Sequence, residues 1–204
     1  MRPWLGLLIA YLCGGIPAAY LAGRWVRGID LREHGSGNLG ATNVFRVLGW
    51  QAGLAVLLFD TAKGALPVWL LPRTIASPAS THWALAFGMV AILGHVRSPF
   101  LRWKSGGKGV ATAGGVFLAL ATIPTLLSLV AWAATVYLSG YVSLASLVAA
   151  VLLPLSIAIL MGLRAPVLAL SVLVALFVFW THRANIGRLL RGEEHRFRRD
   201  SPPE

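Results

Sequence analysis

Residues 35 to 46 read Gly-Ser-Gly-Asn-Leu-Gly-Ala-Thr-Asn-Val-Phe-Arg, a run of small residues, amides, hydroxyls and one guanidinium in a chain that is otherwise mostly apolar. Gly35, Gly37 and Gly40 let the backbone turn its NH groups toward one point. Ser36, Asn38, Thr42, Asn43 and Arg46 supply side-chain donors around it, a set suited to a phosphate. A polar turn that merely connects helices is the plain alternative.

A second stretch runs from Gly94-His95 to Gly106-Gly107-Lys108-Gly109-Val110-Ala111-Thr112. Its glycines permit close backbone approach, Lys104 and Lys108 bring positive charge, and the apolar residues from Val110 onward start a helix whose N-terminus faces the anion. The spacing is not that of a Walker A loop. A basic cytoplasmic anchor with flexible glycines would look similar. In the third stretch, His182 to Glu194, a helix puts His182, Asn185 and Arg188 on one face at i+3 steps. His182 is a candidate base, acid or phosphate donor and Asn185 a candidate hydroxyl orienter, whereas Glu194 either faces the substrate or pairs with an arginine that holds the loops. Arg191, Arg196, Arg198 and Arg199 fit anionic lipid headgroups better.

Composition fixes the class of protein that must position these groups. Of 204 residues, 57% are hydrophobic and 12% charged, with mean hydropathy +0.72, far from a soluble domain and typical of an integral membrane protein. The net charge of +11 would raise a nucleic-acid reading in a soluble chain, but here the basic residues lie between apolar spans, so a lipid surface explains them and no nucleic acid is expected. The first apolar run, residues 4 to 23, is too long for a removable signal and is read as a retained span. The single cysteine, Cys13, lies within it.

Further apolar runs follow at about 51 to 72, 82 to 96, 110 to 138, 142 to 163 and 166 to 181. Basic residues concentrate in 24 to 50, 97 to 109 and the tail from 182, which places these segments on the cytoplasmic side and the N-terminus outside. That parity requires one run to be double. The run 110 to 138 is long enough, and Pro124 marks the expected break. The expected fold is all-α and polytopic, with about seven transmembrane helices and a cytoplasmic C-terminus, in one domain spanning 1–204. Trp4, Trp25, Trp50, Trp69, Trp83 and Trp180 fall near span ends, where an indole straddles the interface. Asp60 and Lys63, i and i+3 within a span, serve either function or a structural ion pair. Parity puts Ser143 beside the polar loops, although most membrane serines, Ser146 included, simply bond a neighbouring carbonyl.

Taken together, Gly-Ser-Gly-Asn-x-Gly-Ala-Thr-Asn at 35 to 43, Gly94-His95 leading to Gly-Gly-Lys-Gly-Val-Ala-Thr at 106 to 112, and His-Arg-x-Asn-Ile-x-Arg-Leu-Leu at 182 to 190 resemble the bacterial acyl-phosphate-dependent glycerol-3-phosphate acyltransferases. Asp60-x-x-Lys63-Gly64 and the serines at 143 and 146 fit as well. The resemblance implies a multi-pass enzyme of the bacterial cytoplasmic (inner) membrane that makes lysophosphatidic acid from acyl phosphate and glycerol 3-phosphate for phospholipid biosynthesis. It implies that Ser36, Gly37, Asn38, Thr42, Asn43, Lys104, Gly106, Gly107 and Glu194 bind substrate, and that Arg46, Lys108, Ser143, His182 and Asn185 carry the reaction. Ser105 interrupts the family's usual Lys-Gly-Gly-Lys-Gly, so Lys104 matches less directly than Lys108.

The chemistry so implied is acyl transfer from a mixed anhydride with a good leaving group, where position and charge neutralisation suffice and no covalent nucleophile is required. Direct attack by the glycerol hydroxyl is expected, with His182 or a substrate phosphate taking the proton. The His-x-x-x-x-Asp pair of other acyltransferases is absent from His95 to Phe100. The histidines at 34, 82, 95, 182 and 195 lack metal-ligand spacing, so neither metal nor cofactor is expected. Partners are the two substrates and membrane lipid, and the sequence does not fix an oligomeric state. The competing class is a transporter or binding protein for a phosphate-bearing solute, which would show midplane helix breaks and a repeated half.

Overall fold

The computed structural model describes residues 3–74, 81–104, 106–163 and 165–197. Ser105, Arg164, Arg198, Arg199 and the tail end expected to fray lie outside the described residues. The described residues form helices joined by short loops: α1 (Pro3–Gly15), α2 (Ala18–Arg27), α3 (Ala41–Leu48), α4 (Trp50–Thr74), α5 (Thr81–Val96), α6 (Val110–Leu120), α7 (Thr122–Ser139), α8 (Val142–Met161), α9 (Pro166–Thr181) and α10 (Arg183–Leu190), with a 3₁₀ turn at Pro99–Leu101. Four stretches are long and apolar enough to cross a membrane, α1 with α2 counted as one, then α4, α7 and α8. A fifth is obtained if α9 and α10, bent by 58°, count as one span. The apolar α5 and α6 are shorter. Large apolar side chains such as Leu8, Leu58, Val130, Ile159 and Leu176 are exposed, the pattern of helices whose solvent is lipid. The chain is thus an all-helical, multi-pass membrane protein. Trp4, Trp25, Trp50 and Trp180 sit exposed at or near helix ends, whereas Trp83 is half-buried in the first turn of α5 and Trp69 lies exposed more than a turn inside the end of α4.

Two compact units divide the chain, Met1–Leu120 and Ala121–Glu204. The long apolar run breaks where they meet. Sequence placed the break at Pro124, but the helix ends at Leu120 and the chain turns at Ala121 (φ −150°, ψ 68°). Pro124 then falls in the first turn of α7, where its missing NH costs no helix bond.

In the first unit, backbones meet through glycine. Gly14 of α1 lies against the Ala91 carbonyl of α5, and Gly64 and Gly115 bring α4 and α6 together against the carbonyls of Thr112 and Thr61. Without an oil-versus-water drive between helices in lipid, such close van der Waals approach is what holds them. The pairings fix direction. Trp4 meets Trp83 and Gly14 meets Ala91, so α1 and α5 run parallel. Asp60 and Thr112 lie beside His95 of α5 while Val68 and Val116 lie beside Gly88, so α4 and α6 run parallel to each other and antiparallel to α5. A Cβ at Gly115 would stand 1.9 Å from Thr61 O, whereas one at Gly114 meets nothing within 4 Å. Gly115→Ala is therefore expected to cost about 1–3 kcal/mol, read as a lower melting temperature in detergent, while Gly114→Ala leaves it unchanged or raises it.

Pro17 interrupts the first span between α1 and α2. Carbonyls freed by such a break need donors inside lipid. Ser98 Oγ donates to Gly15 O (2.6 Å) and Lys63 Nζ to Ile16 O (2.7 Å). Below, α2 and α3 close over Ala19, Leu31, Leu39, Val44, Leu48, Val56 and Leu101, a small apolar core that anchors the first polar loop.

In the second unit α7 and α8 form a hairpin around Gly140, whose φ of +77° suits glycine. The chain after α10 folds back on this turn: Phe197 N donates to Gly140 O (2.8 Å), and Arg196 Nε reaches Tyr141 Oη (3.2 Å).

Candidate active site

Asn43 organises the first loop. Its Oδ1 accepts from Ser36 N (2.9 Å), while Nδ2 donates to His34 O (3.0 Å) and Leu31 O (3.3 Å), with the residue 1% exposed. Gly35 (φ +61°) and Gly37 (φ +69°) supply the left-handed turns, and a Cβ at Gly35 would strike Asn43 Oδ1 at 2.3 Å. The sequence offers Asn43 as one donor among several to a ligand. Three of its hydrogen bonds instead fold the loop that displays Ser36, Gly37 and Asn38. Gly40 caps α3 with extended backbone, and Thr42 and Arg46 follow one turn apart on the same helical face. Both are half-buried.

Just before the loop, Asp30 pairs with Arg32 (2.5 Å) and more distantly with Arg24 (3.6 Å). Hydrogen bonds from Arg32 hold the Asp30 pKa down at about 2. Both guanidinium groups also lie 5.3 Å from the Tyr20 ring centre. This cluster fixes where the chain leaves α2.

The second loop joins the first through Leu39 and Gly107. A Cβ at Gly107 would lie 3.0 Å from Leu39 O and 2.4 Å from His95 Nε2; one at Gly106 would lie 2.1 Å from His95 O. The missing side chains of Gly106 and Gly107 thus make room for protein rather than for a ligand, a finer reading than the sequence allowed. Gly106 N also donates to Val96 O (3.0 Å). Lys108 follows, half-buried, and Gly109 (φ +80°) turns the chain into α6. Lys104 is exposed. Ser36, Gly37, Asn38, Thr42, Arg46, Gly106, Gly107 and Lys108 are therefore carried by two abutting segments of one unit.

A second cluster belongs to the other unit. His182 sits at the bend between α9 and α10, 3% exposed, with Nδ1 2.8 Å from Val178 O. A carbonyl only accepts, so Nδ1 carries hydrogen and a neutral ring bears its lone pair on Nε2. One turn on, Asn185 Nδ2 donates to Glu194 Oε1 (2.6 Å), and Arg188 Nε donates to Glu194 Oε2 (2.7 Å). Ser143, 6% exposed in the first turn of α8, lies against the same carboxylate without closing a hydrogen bond of standard geometry. Burial would raise the Glu194 pKa, but Asn185, Arg188 and Ser143 outweigh it and hold the carboxyl below its ordinary range. Of the alternatives for Glu194, the arginine pairing is the one seen. Ser146, by contrast, bonds back to Val142 O (2.8 Å), as most serines in membrane helices do.

Sequence reasoning undervalued His95 and Arg188. In the sequence His95 only opens the second stretch, yet it is 6% exposed, 3.0 Å from Thr112 Oγ1 and in contact with both glycines of the second loop. The Gly94-His95 step inside an otherwise apolar helix was the available signal.

Comparison with known proteins agrees over nearly the whole chain. A family profile described as glycerol-3-phosphate acyltransferase matches residues 4–192. A glycerol-3-phosphate acyltransferase of Desulforudis audaxviator is 46% identical over 189 residues, 93% of this chain and 92% of that one. One of Chlorobium phaeobacteroides is 41% identical over 224 residues, 94% of this chain and 95% of that one. The fold is similar to that of PlsY, an integral membrane glycerol 3-phosphate acyltransferase, in a crystal structure of its glycerol 3-phosphate form, with TM-score 0.87, 36% identity and coverage of 95% and 94% of the two chains. By profile, identity and fold alike, the chain belongs to the glycerol-3-phosphate acyltransferase family.

Proposed function

We propose that the protein transfers an acyl group from acyl phosphate to glycerol 3-phosphate, forming lysophosphatidic acid, by direct attack of the glycerol hydroxyl. Two of the similar crystal structures are glycerol 3-phosphate and lysophosphatidic acid forms of PlsY, which supports the acceptor and the product. The observation that carries the reading is the junction of the two glycine-containing loops at Leu39 and Gly107, which sets Lys108 beside the loop displaying Ser36 and Asn38. Backbone NH groups, hydroxyls and a lysine ammonium there suit a phosphate.

In the reaction the hydroxyl oxygen bonds to the acyl carbon and the carbon–oxygen bond to phosphate breaks, the phosphate leaving with the electron pair. Lys108 and Arg46 neutralise the growing phosphate charge. His182, with its lone pair on Nε2, takes the hydroxyl proton, and Asn185 orients that hydroxyl; a phosphate oxygen of the substrate is the other acceptor the chemistry permits. Glu194 positions Asn185 and Arg188, and Ser143 supports that carboxylate. Asn43 holds its loop and Lys104 supplies exposed positive charge nearby. No metal or cofactor enters these steps.

The whole chain, 1–204, acts as one enzyme in the bacterial cytoplasmic membrane, with seven crossings, the N-terminus outside and the polar loops in the cytoplasm. That α1 runs parallel to α5, and α4 and α6 run parallel to each other and antiparallel to α5, supports this alternation, which requires the short α5 and α6 to serve as crossings. An acyl chain then stays among apolar side chains, each buried methylene contributing about 0.8 kcal/mol, while glycerol 3-phosphate arrives from water. Direct attack predicts that protein incubated with labelled acyl phosphate and no acceptor retains no label after denaturation. Stoichiometric covalent label would instead establish an acyl-enzyme.

A further inference from the structure

Beneath the second loop lies a polar network that the proposed reaction does not use. Asp60 and Lys63 of α4, His95 of α5 and Thr112 of α6 are 1%, 3%, 6% and 0% exposed. Lys63 Nζ is 2.7 Å from Asp60 Oδ1 and donates to Ile16 O at the broken first span. His95 Nδ1 lies 3.0 Å from Thr112 Oγ1 and 3.7 Å from Asp60 Oδ1. On the other edge of the ring, Nε2 faces Gly107 so closely that a methyl group there would stand 2.4 Å away.

We infer that Asp60, Lys63, His95 and Thr112 are positioning residues for the phosphate loop: the ion pair and the threonine fix the His95 imidazole, and the imidazole sets the height and register of Gly106–Lys108. This rests on the reading of that loop as a phosphate site. A buried ion pair rarely adds net stability over apolar packing of the same volume, so stability alone is a poor account of this one. The network has, in addition, a mechanical target. The ring edge held by Asp60 and Thr112 is opposite the edge that touches the loop, so rotation or displacement of the ring moves Gly107 and the adjoining Lys108 directly. Lys63 links the same point to the break at Ile16, beneath which α2 leads to the first loop. One buried cluster thereby sets the relative height of both phosphate-facing segments. Misplacement of a binding group by about 1 Å is enough to cost on the order of 10²-fold in rate or affinity.

The test compares Thr112→Val, which removes the hydroxyl at nearly constant volume, with Thr112→Ser, which keeps it. Purified full-length protein is assayed for lysophosphatidic acid formation with the KM for each phosphate substrate, kcat and melting temperature measured together. Thr112→Val is expected to raise the KM for one phosphate substrate about tenfold with kcat nearly unchanged, the signature of lost uniform binding. Thr112→Ser restores it. Asp60→Asn added to Thr112→Val is expected to raise that KM by less than the product of the single effects, because both act through His95. If the valine variant does not fold, Thr112→Cys replaces it. Unaltered KM in the folded variant, or a loss confined to melting temperature, overturns the inference. Lys108→Ala in the same assay separates the two claims. Wild-type kinetics for it would remove the loop from the site and the network's role with it, whereas a damaged Lys108→Ala beside an unaltered Thr112→Val would overturn the network alone.

Discussion

Lys108→Ala is expected to lower acyl transfer by about 10²–10³-fold, the loss usual for one preorganised charge-stabilising donor, while the protein keeps its helical content and melting temperature. The reason lies in what holds Lys108. On one side Gly107 is seated on His95 and Leu39, and on the other Gly109 turns at φ +80° into α6. The ammonium is therefore delivered from a backbone that cannot drift, and little reorganisation is needed as charge grows on the departing phosphate. Lys108→Arg retains the charge but not the compact head group, and is expected to recover only part of the rate. Steady-state kinetics with both substrates varied checks this, and an alanine variant with wild-type turnover would remove Lys108 from the mechanism.

The second large effect is expected at His182. General acid–base participation contributes about 10²–10⁴-fold, and His182→Ala forfeits it. The bend that separates α9 from α10 exists at this residue, and Val178 O receives both its NH and its Nδ1. The Nδ1 bond thus leaves the lone pair of the neutral ring on Nε2, whereas a glutamine cannot both bond Val178 O and offer a basic nitrogen. His182→Gln is expected to fold and to remain as slow as the alanine variant. Recovery of activity with glutamine would show that His182 only donates a hydrogen bond to substrate, leaving a phosphate oxygen as the proton acceptor.

Much of this was legible in the sequence, because membrane helices and phosphate loops both impose harsh local constraints. Apolar runs in lipid must be helical, since backbone polar groups have no other partner there. The glycine and amide run was legible as a polar turn, and the chain turns through residues 35 to 40 before Ala41 opens α3. What sequence could not reveal is direction. Asn43 points inward to bind three groups of its own loop, and Gly106 and Gly107 are bare toward His95 rather than toward a ligand. Nor could spacing show that Glu194, beyond the end of α10, swings back to take Asn185 and Arg188 on its two oxygens. The Asp60 and Lys63 spacing left function and an ion pair as alternatives, and the pair is there at 2.7 Å. Its connection to His95 joins residues 35 apart in the chain, which no local pattern encodes. The break in the long apolar run was foreseen for reasons of length, but proline marked its neighbourhood rather than its position, because a proline is tolerated within the first turn of the helix that follows.

The donor is the most direct point at which to test the account. Purified protein in detergent is offered glycerol 3-phosphate with either acyl phosphate or acyl-CoA, and lysophosphatidic acid is measured. Product from acyl phosphate and none from acyl-CoA is the predicted result. Product from acyl-CoA, or no product from acyl phosphate by folded protein, would contradict it.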